Sequence, residues 1–468
     1  MATTLLRADS CGACGSLGAE FCCSRCKAAK FCGPECFRKA WKMHKAQCGK
    51  ERSVPTSGSS SPGPPATLQS PILEGRIFVS IVAYCDPELP TTLRALLSCA
   101  VQPQLLSVGL IWQGEGEPLR ESDLQHLSQL WGLDKARAVG ENENKRGKLS
   151  LPAGHDLQWE GLLGGRIRLV RMPAEDARGP CWARYLAQLL WQGEELYLQI
   201  DSHMRFVPEW DRHAREQLLS CAARSAKPVL CSYGRGYPLG VPHDWMPPSE
   251  LTPCLNCAGF FDDNDVLNIR YRTLNQDWPQ PQQSFFWSAH FSFSSSEILR
   301  DVPYDPQLLM LFYGEEILMT VRLFTHGWDL FSPSRGLVFH LWEREYRRVY
   351  MLDMRKLYAE LAHASRRRMH TLLNSGPAPF FEEVPDLWPL PGDACPRKHS
   401  RDPFGLGMAR SLSDYEQAAE VSFRNRQLGD FALRGGASDE SLFAAQEDGG
   451  QAAVEERCRT SWRSIAAK

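Results

Sequence analysis

Eight of the chain's seventeen cysteines fall between Cys11 and Cys48. They read Cys11-x2-Cys14-x8-Cys23-x2-Cys26-x5-Cys32-x3-Cys36-x7-His44-x3-Cys48, with Cys22 to spare. A stretch of about forty residues cannot bury enough apolar surface to fold alone. Paired CxxC units closed by an HxxxC match zinc-ligand spacing, and a disulfide knot explains them less well. Seven thiolates and one imidazole complete two tetrahedral zinc shells, so metal binding supplies the folding energy. A swap of Cys22 for Cys23 is conceivable, but Cys23 alone gives CxxC spacing. The other nine cysteines are scattered, which favours a reducing compartment over a secreted disulfide scaffold.

At 468 residues the chain has room for two or three domains. A net charge of -2 gives no argument for nucleic acid or an anionic membrane. Lys27, Lys30, Arg38, Lys39, Lys42 and Lys45 therefore read as a solvated basic face. No apolar run approaches the ~20 residues of a membrane helix, and MATTLLRADSCGAC does not read as a secretory signal. The expectation is a soluble cytoplasmic or nuclear protein with no nucleic-acid or membrane partner. Gly49–Gln69 is rich in Ser, Pro and Gly and reads as a flexible linker. The predicted organisation is a finger over 1–48, a linker over 49–70, an α/β domain over 71–425 and a disordered tail over 426–468.

The α/β domain is centred on Glu194–Phe206, EELYLQIDSHMRF. Leu196, Leu198 and Ile200 alternate with Tyr197 and Gln199, the period of a strand. Before it, Trp182, Tyr185, Leu186, Leu189 and Leu190 recur on one helical face between Pro180 and Gly193. Further back, Ile77–Tyr84 and Leu106–Trp112 read as buried parallel strands, and Arg166–Val170 as another. This β-α-β-α-β order predicts a doubly wound sheet, whose ligands bind beyond the carboxyl ends of the strands. The strand at Ile200 ends in Asp201-Ser202-His203, so Asp201 and His203 are placed where a site belongs. Two apart in extended chain, they point the same way and share one cation. Ser80 and Tyr84–Asp86, at the exit of the first strand, converge on the same edge.

Gln113–Asn144 is polar and reads as a surface excursion. Pro228–Tyr233, Trp328–Ser332 and Gly336–His340 read as strands. Ser284–Ser294, SFFWSAHFSFS, is either a buried strand or the lining of a sugar or acceptor pocket. Cys254 and Cys257 have no second pair nearby and read as buried cysteines. Gly314-Glu315-Glu316 opens a helix with Ile317, Val321 and Phe324 on one face. Glutamates in a first turn have a plain helix-dipole explanation as well as a functional one.

The cysteine ladder resembles the MYND zinc finger. That resemblance implies one Zn2+ on Cys11, Cys14, Cys32 and Cys36, and a second on Cys23, Cys26, His44 and Cys48. It also implies a protein partner, often a proline-containing segment, although Phe37 and Ala40 depart from the Gln and Asp usual there. From about Arg76 to Asp414 the chain resembles the cytoplasmic N-acetylglucosaminyltransferases that modify hydroxyproline on the adaptor subunit of SCF ubiquitin ligases. The matching stretches are VSIVAYCDPEL, GPCWAR, DSH with Met204-Arg205-Phe206, the Gly-Glu-Glu helix start, THGWDLFSP, His340 and GLGMARSL. The resemblance implies a GT-A fold, UDP-GlcNAc as donor and a divalent cation on Asp201, His203 and His340.

A cation held there stabilises charge on a departing diphosphate. Oxygen and imidazole ligands suit Mn2+ better than Mg2+. Glu315 or Glu316 then orients the acceptor hydroxyl or the sugar, and Arg94 and Arg184 are candidates for the diphosphate. Two other readings are a MYND scaffold whose transferase domain has degenerated and a MYND-bearing lysine methyltransferase. The intact Asp201, His203, Glu315, Glu316 and His340 set argues against the first. The lack of a SET signature argues against the second.

Overall fold

The structure is a computed structural model that describes residues 21–22, 30–31, 71–133, 146–150, 156–242, 245, 251–373, 402–437 and 440–443. The chain falls into two units, Met1–Ser61 and Pro62–Lys468. In the first, β1 (Phe21–Cys22) pairs antiparallel with β2 (Lys30–Phe31), Phe21 opposite Phe31. The expected zinc ligands Cys11, Cys14, Cys23, Cys26, Cys32, Cys36, His44 and Cys48, and the expected linker, lie outside the described residues.

The second unit is built on β3 (Ile77–Tyr84), where Ile77, Phe78, Val79 and Ile81 are fully buried. Burial of such side chains is worth about 1.5–3 kcal/mol each, so the strand belongs mid-sheet. α1 (Leu89–Ser98) buries Leu89, Leu93, Leu96 and Leu97 and returns the chain to β4 (Leu106–Gln113), parallel to β3. The polar excursion that follows is not all loop. Its described part holds α2 (Glu121–Leu130), which is anchored by buried Leu127 and Trp131. Leu124, Leu127 and Trp131 recur at i, i+3 and i+7 against one core, a helical period that the polar residues around it mask. A hairpin, β5 (Arg146–Ser150) and β6 (Asp156–Leu162), then adds antiparallel strands to β7 (Ile167–Met172), itself parallel to β4. α3 (Pro180–Gln188) leads to β8 (Leu196–Asp201), parallel to β3 on its other side.

The remaining elements are β9 (Met204–Phe206), α4 (Trp210–Ala222), β10 (Pro228–Cys231), β11 (Arg235–Gly236), β12 (Cys254–Phe261), β13 (Leu267–Thr273), β14 (Gln282–Ser284), β15 (Phe291–Ser295), α5 (Ile298–Asp301), α6 (Glu315–Thr325), β16 (Asp329–Ser332) and β17 (Val338–His340). After them come α7 (Tyr350–Asp353), α8 (Arg355–Leu373), α9 (Leu412–Ala419), β18 (Val421–Ser422), β19 (Gln427–Leu428) and α10 (Asp430–Leu433). The ten-stranded sheet has the order β14-β16-β10-β15-β8-β3-β4-β7-β6-β5. Four central strands are parallel. β15 then runs antiparallel between β8 and β10. A small sheet, β11-β17-β9, brings the end of β17 beside the turn that follows β8. The α/β expectation holds, with a mixed sheet in place of a purely doubly wound one.

The disordered tail expected over 426–468 starts too early. β19 and α10 are ordered, and Ala437 and Phe443 are buried with Leu255 and Leu274. Phe431, Ala432 and Phe443 give that segment apolar anchors that its Gly- and Ser-rich composition hides.

Candidate functional site

β8 ends at Asp201, on the carboxyl edge of the parallel strands. Three histidines from separate elements surround its carboxylate. His340, at the end of β17, puts Nε2 3.3 Å from Asp201 Oδ2. His290, just before β15, puts Nε2 at 3.7 Å, and His203 puts its own at 3.9 Å. Ligand atoms of Asp201, His290 and His340 all lie within 4.8 Å of one another. Among the described residues, this is the one group of His, Cys, Asp and Glu gathered closely enough to hold a metal ion.

His203 does not simply stand in step with Asp201 along an extended strand. Ser202 and His203 form the bend between β8 and β9, so the alternation that would align them stops at Asp201. His203 Nδ1 instead donates to Asp86 Oδ2 at 2.8 Å, and the Ser202 hydroxyl donates to the same oxygen at 2.6 Å. Its ring remains against His340, with centroids 4.7 Å apart. His290 was absent from the sequence-derived ligand set. It lies within SFFWSAHFSFS, but nothing in its spacing ties it to Asp201, and a lone histidine among aromatics reads as core.

Burial alone would raise the Asp201 pKa. The His340 hydrogen bond and nearby positive charge, including Arg184, hold it well below the usual carboxylate range. Arg184 Nη2 donates to Asp201 Oδ1 at 2.7 Å. Burial pushes His290 down to about 4 and His340 well below the ordinary histidine value, so both imidazoles are neutral near pH 7. An ionised carboxylate beside two neutral imidazoles is a donor set suited to a divalent cation. His340 Nδ1 is buried without a hydrogen-bond partner, while its Nε2 faces Asp201.

Two glycines fix the helices that carry the neighbouring charges. Gly179 caps α3 with φ +91, and a Cβ there would lie 2.7 Å from the Met310 backbone. Gly314 caps α6 with φ +102, against the Met369 thioether. Neither conformation suits a side chain. Arg184 of α3 is thereby set between Asp201 and Glu315 of α6. Glu315 also accepts from the Tyr304 hydroxyl at 2.7 Å. Glu316 accepts from the Tyr233 hydroxyl and, at 2.9 Å, from the Ala289 N–H next to His290. Burial pushes the Glu316 carboxyl up to about 7, despite those two hydrogen bonds.

These groups open onto a cavity of about 1120 Å³. Tyr84, Arg184, Asp201, His203, Glu315 and Glu316 line it, as does Gln113 at the end of β4, which the sequence reading passed over. Three other candidates are placed elsewhere. Ser80 is buried within β3, about 13 Å of strand short of Tyr84. Asp86 is buried beneath the wall, holding Ser202, His203 and the Tyr346 hydroxyl. Arg94 lies on α1, pairs with Asp123 at 3.6 Å and lines no part of the cavity. A helix surface arginine and a site arginine look alike in sequence. Cys254 and Cys257 are buried in β12, as read. The GLGMARSL stretch packs on the end of α6: Gly407 N–H donates to Thr325 Oγ1 and Arg410 pairs with Asp329.

Residues 76–425 match the family model described as Glycosyltransferase (GlcNAc), and residues 11–48 match that of the MYND finger. No curated protein sequence matches the chain. Among solved structures, the chain is similar to GalNAc-T7 with UDP, GalNAc and Mn2+, at 13% identity and a TM-score of 0.40, covering 64% of this chain and 50% of that one. It thus spans half the length of that protein. It is also similar to S. aureus TarS 1-349 in complex with UDP-GlcNAc, at 13% identity and a TM-score of 0.31, covering 63% and 72%. These likenesses are loose, and the chemistry of the site rests on its own geometry.

Proposed function

Because the chain belongs to the Glycosyltransferase (GlcNAc) family and carries a MYND finger, we propose that it transfers N-acetylglucosamine from UDP-GlcNAc to a protein hydroxyl. Hydroxyproline of a cytoplasmic acceptor such as the SCF adaptor is the target its sequence resemblance implies. The observation that carries the reading is the Asp201, His290 and His340 cluster at the carboxyl end of β8, with Asp201 and His290 on the wall of the 1120 Å³ cavity and His340 buried behind them.

Asp201, His290 and His340 would hold a divalent cation, with His203 beside them. Two imidazoles favour Mn2+ over Mg2+. Bound there, the cation would neutralise charge developing on a departing diphosphate. Arg184 keeps Asp201 ionised and fixes its orientation through Oδ1, which leaves Oδ2 facing the histidines. Glu315 balances Arg184 from the other side and is committed to that pair. Glu316, with its raised pKa, is the better candidate to meet an acceptor or sugar hydroxyl. The finger, stabilised by zinc, would hold a proline-containing segment of the acceptor and raise its local concentration. No described helix is long and apolar enough to cross a membrane. A cytoplasmic or nuclear setting suits the finger's reduced thiols.

The test is UDP release by the purified chain from UDP-GlcNAc, UDP-GalNAc and UDP-glucose, with Mn2+, Mg2+ or EDTA, followed by transfer to peptides bearing hydroxyproline, proline or serine. Mn2+-dependent turnover of UDP-GlcNAc and transfer to hydroxyproline are expected. No turnover of any donor would leave the scaffold reading, and turnover without hydroxyproline preference would redirect the acceptor.

A further inference from the structure

The cavity that starts at Asp201 reaches α8. Arg355, Lys356, Ala359 and Arg366 line it from that helix. Arg355, Ala359 and Arg366 recur at i, i+4 and i+11, which is one helical stripe. Ala359 is small and exposed, so it leaves a floor between the two arginines. Arg355 and Lys356 are exposed, and Arg366 is hydrogen-bonded to Tyr358. Among the described residues none of these three cations has an ion-pair partner. Elsewhere on the surface, Arg171, Arg348 and Arg410 are matched by carboxylates.

The stripe runs for about 16 Å along the helix axis, the span of about five residues of extended chain. That is longer than the diphosphate of a nucleotide sugar, whose place is at the Asp201 end. The β12–β13 loop contributes two carboxylates to the same cavity, Asp263 and Asp262, the latter accepting the Asn264 and Val266 N–H groups. Against the three cations of α8 (three minus two) one net positive charge remains among these groups.

We propose that this stripe seats the acceptor polypeptide, and that the acceptor carries Asp or Glu residues beside the hydroxyl that receives the sugar. The inference rests on the glycosyl-transfer reading and names the chemistry of its acceptor. Unpaired cations of this kind act mainly on encounter and ground-state binding, so the effect belongs in KM and falls with salt.

The experiment uses the full chain, an Arg355→Gln/Arg366→Gln double variant and the single variant Arg355→Gln. Arg355 is exposed and Arg366 is half-buried against Tyr358, so thermal melts check the fold. The single variant, which should lose part of the margin, carries the test if the double variant is unstable. Fluorescent hydroxyproline peptides flanked by glutamate or by glutamine are titrated by anisotropy and then used as acceptors. Wild type should bind the glutamate peptide about tenfold more tightly than the glutamine one, and lose that margin at high salt. The double variant should lose it too, with a raised acceptor KM, a kcat within about twofold and an unchanged KM for UDP-GlcNAc in hydrolysis. Equal binding of the two peptides by wild type would overturn the proposal. So would an equal rise in donor KM, which would assign the stripe to the diphosphate. Absence of any donor turnover would defeat the glycosyl-transfer reading, while the anisotropy titration would still judge the stripe.

Discussion

The two halves of the ten-stranded sheet reach the same site by different routes. The parallel half, β7-β4-β3-β8, delivers Asp201 at a strand end and Arg184 from the helix that precedes it. Both placements follow from a general property of parallel sheets, whose carboxyl edges gather ligand-binding groups. The other half delivers His290 from the residue before β15, and Glu315 and Glu316 from the first turn of α6. The small sheet adds His340 at the end of β17. No periodic pattern announces those positions. One half is a scaffold with the candidate site at its terminus, and the other folds over it and adds His290 to the candidate ligands.

Removing Asp201 tests the parallel half and carries the largest expected effect. Asp201→Ala should cut donor turnover by about 10³-fold or more, since metal-assisted charge stabilisation is worth several kcal/mol. Its fold should persist, because the residue sits on a cavity edge. Near-normal turnover in a folded variant would detach the site from β8. His290→Ala asks the matching question of the antiparallel half. A loss of about 10²-fold is expected, together with a much higher Mn2+ concentration for half-maximal rate. If the Mn2+ requirement does not move while His340→Ala shifts it, then β15 contributes packing and His203 completes the set.

The contrast also explains how much was legible beforehand. Ile77–Tyr84 and Leu106–Trp112 declare themselves because a strand buried on both faces must be apolar throughout. Asp201 is the first charge after such a run, and its place at the site edge follows from position alone. His290 offers no such signal, since its partners are fixed by a non-local antiparallel pairing of β15 with β8. Asp86, expected beside Tyr84 at the ligand edge, is instead buried, because a carboxylate near a strand end can serve the ligand or serve its neighbour. Here it serves His203. Arg94 and Arg184 have the same chemistry and similar helical settings, and only the packing of α3 against α6 separates them.

Arg184 and Glu315 tie the two halves together through a buried ion pair. Arg184→Met should therefore destabilise the domain by about 3–5 kcal/mol, because Glu315 is left buried without a cation and Asp201, at the cavity edge, is left beside it. Urea unfolding would measure it. Adding Glu315→Gln should restore part of the loss, since one unpaired charge is removed. A double variant no more stable than Arg184→Met alone would show that the bridge contributes geometry and little charge balance.

The smallest expected effect belongs to Glu316, and its sign separates a buried carboxyl from an ordinary one. Its folded-state pKa is raised to about 7 by burial, above the value of about 4.3 expected in the unfolded chain. The folded state thus binds the proton more tightly. The stability this contributes is complete below the unfolded pKa and is lost as pH rises towards 7. His290 acts in the opposite sense, since its folded pKa is depressed to about 4, so the wild-type curve alone mixes the two. Glu316→Gln can keep the Ala289 N–H on its one amide oxygen and turn its NH2 towards the Tyr233 oxygen, whose own proton then goes to the Ile269 carbonyl, but it cannot ionise. Relative to wild type, the variant should therefore gain about 1–2 kcal/mol between pH 5 and pH 8, seen as a melting-temperature difference that grows with pH. A difference that stays flat would mean that Glu316 is ionised throughout, and a hydroxyl approaching it would meet a carboxylate over the whole range.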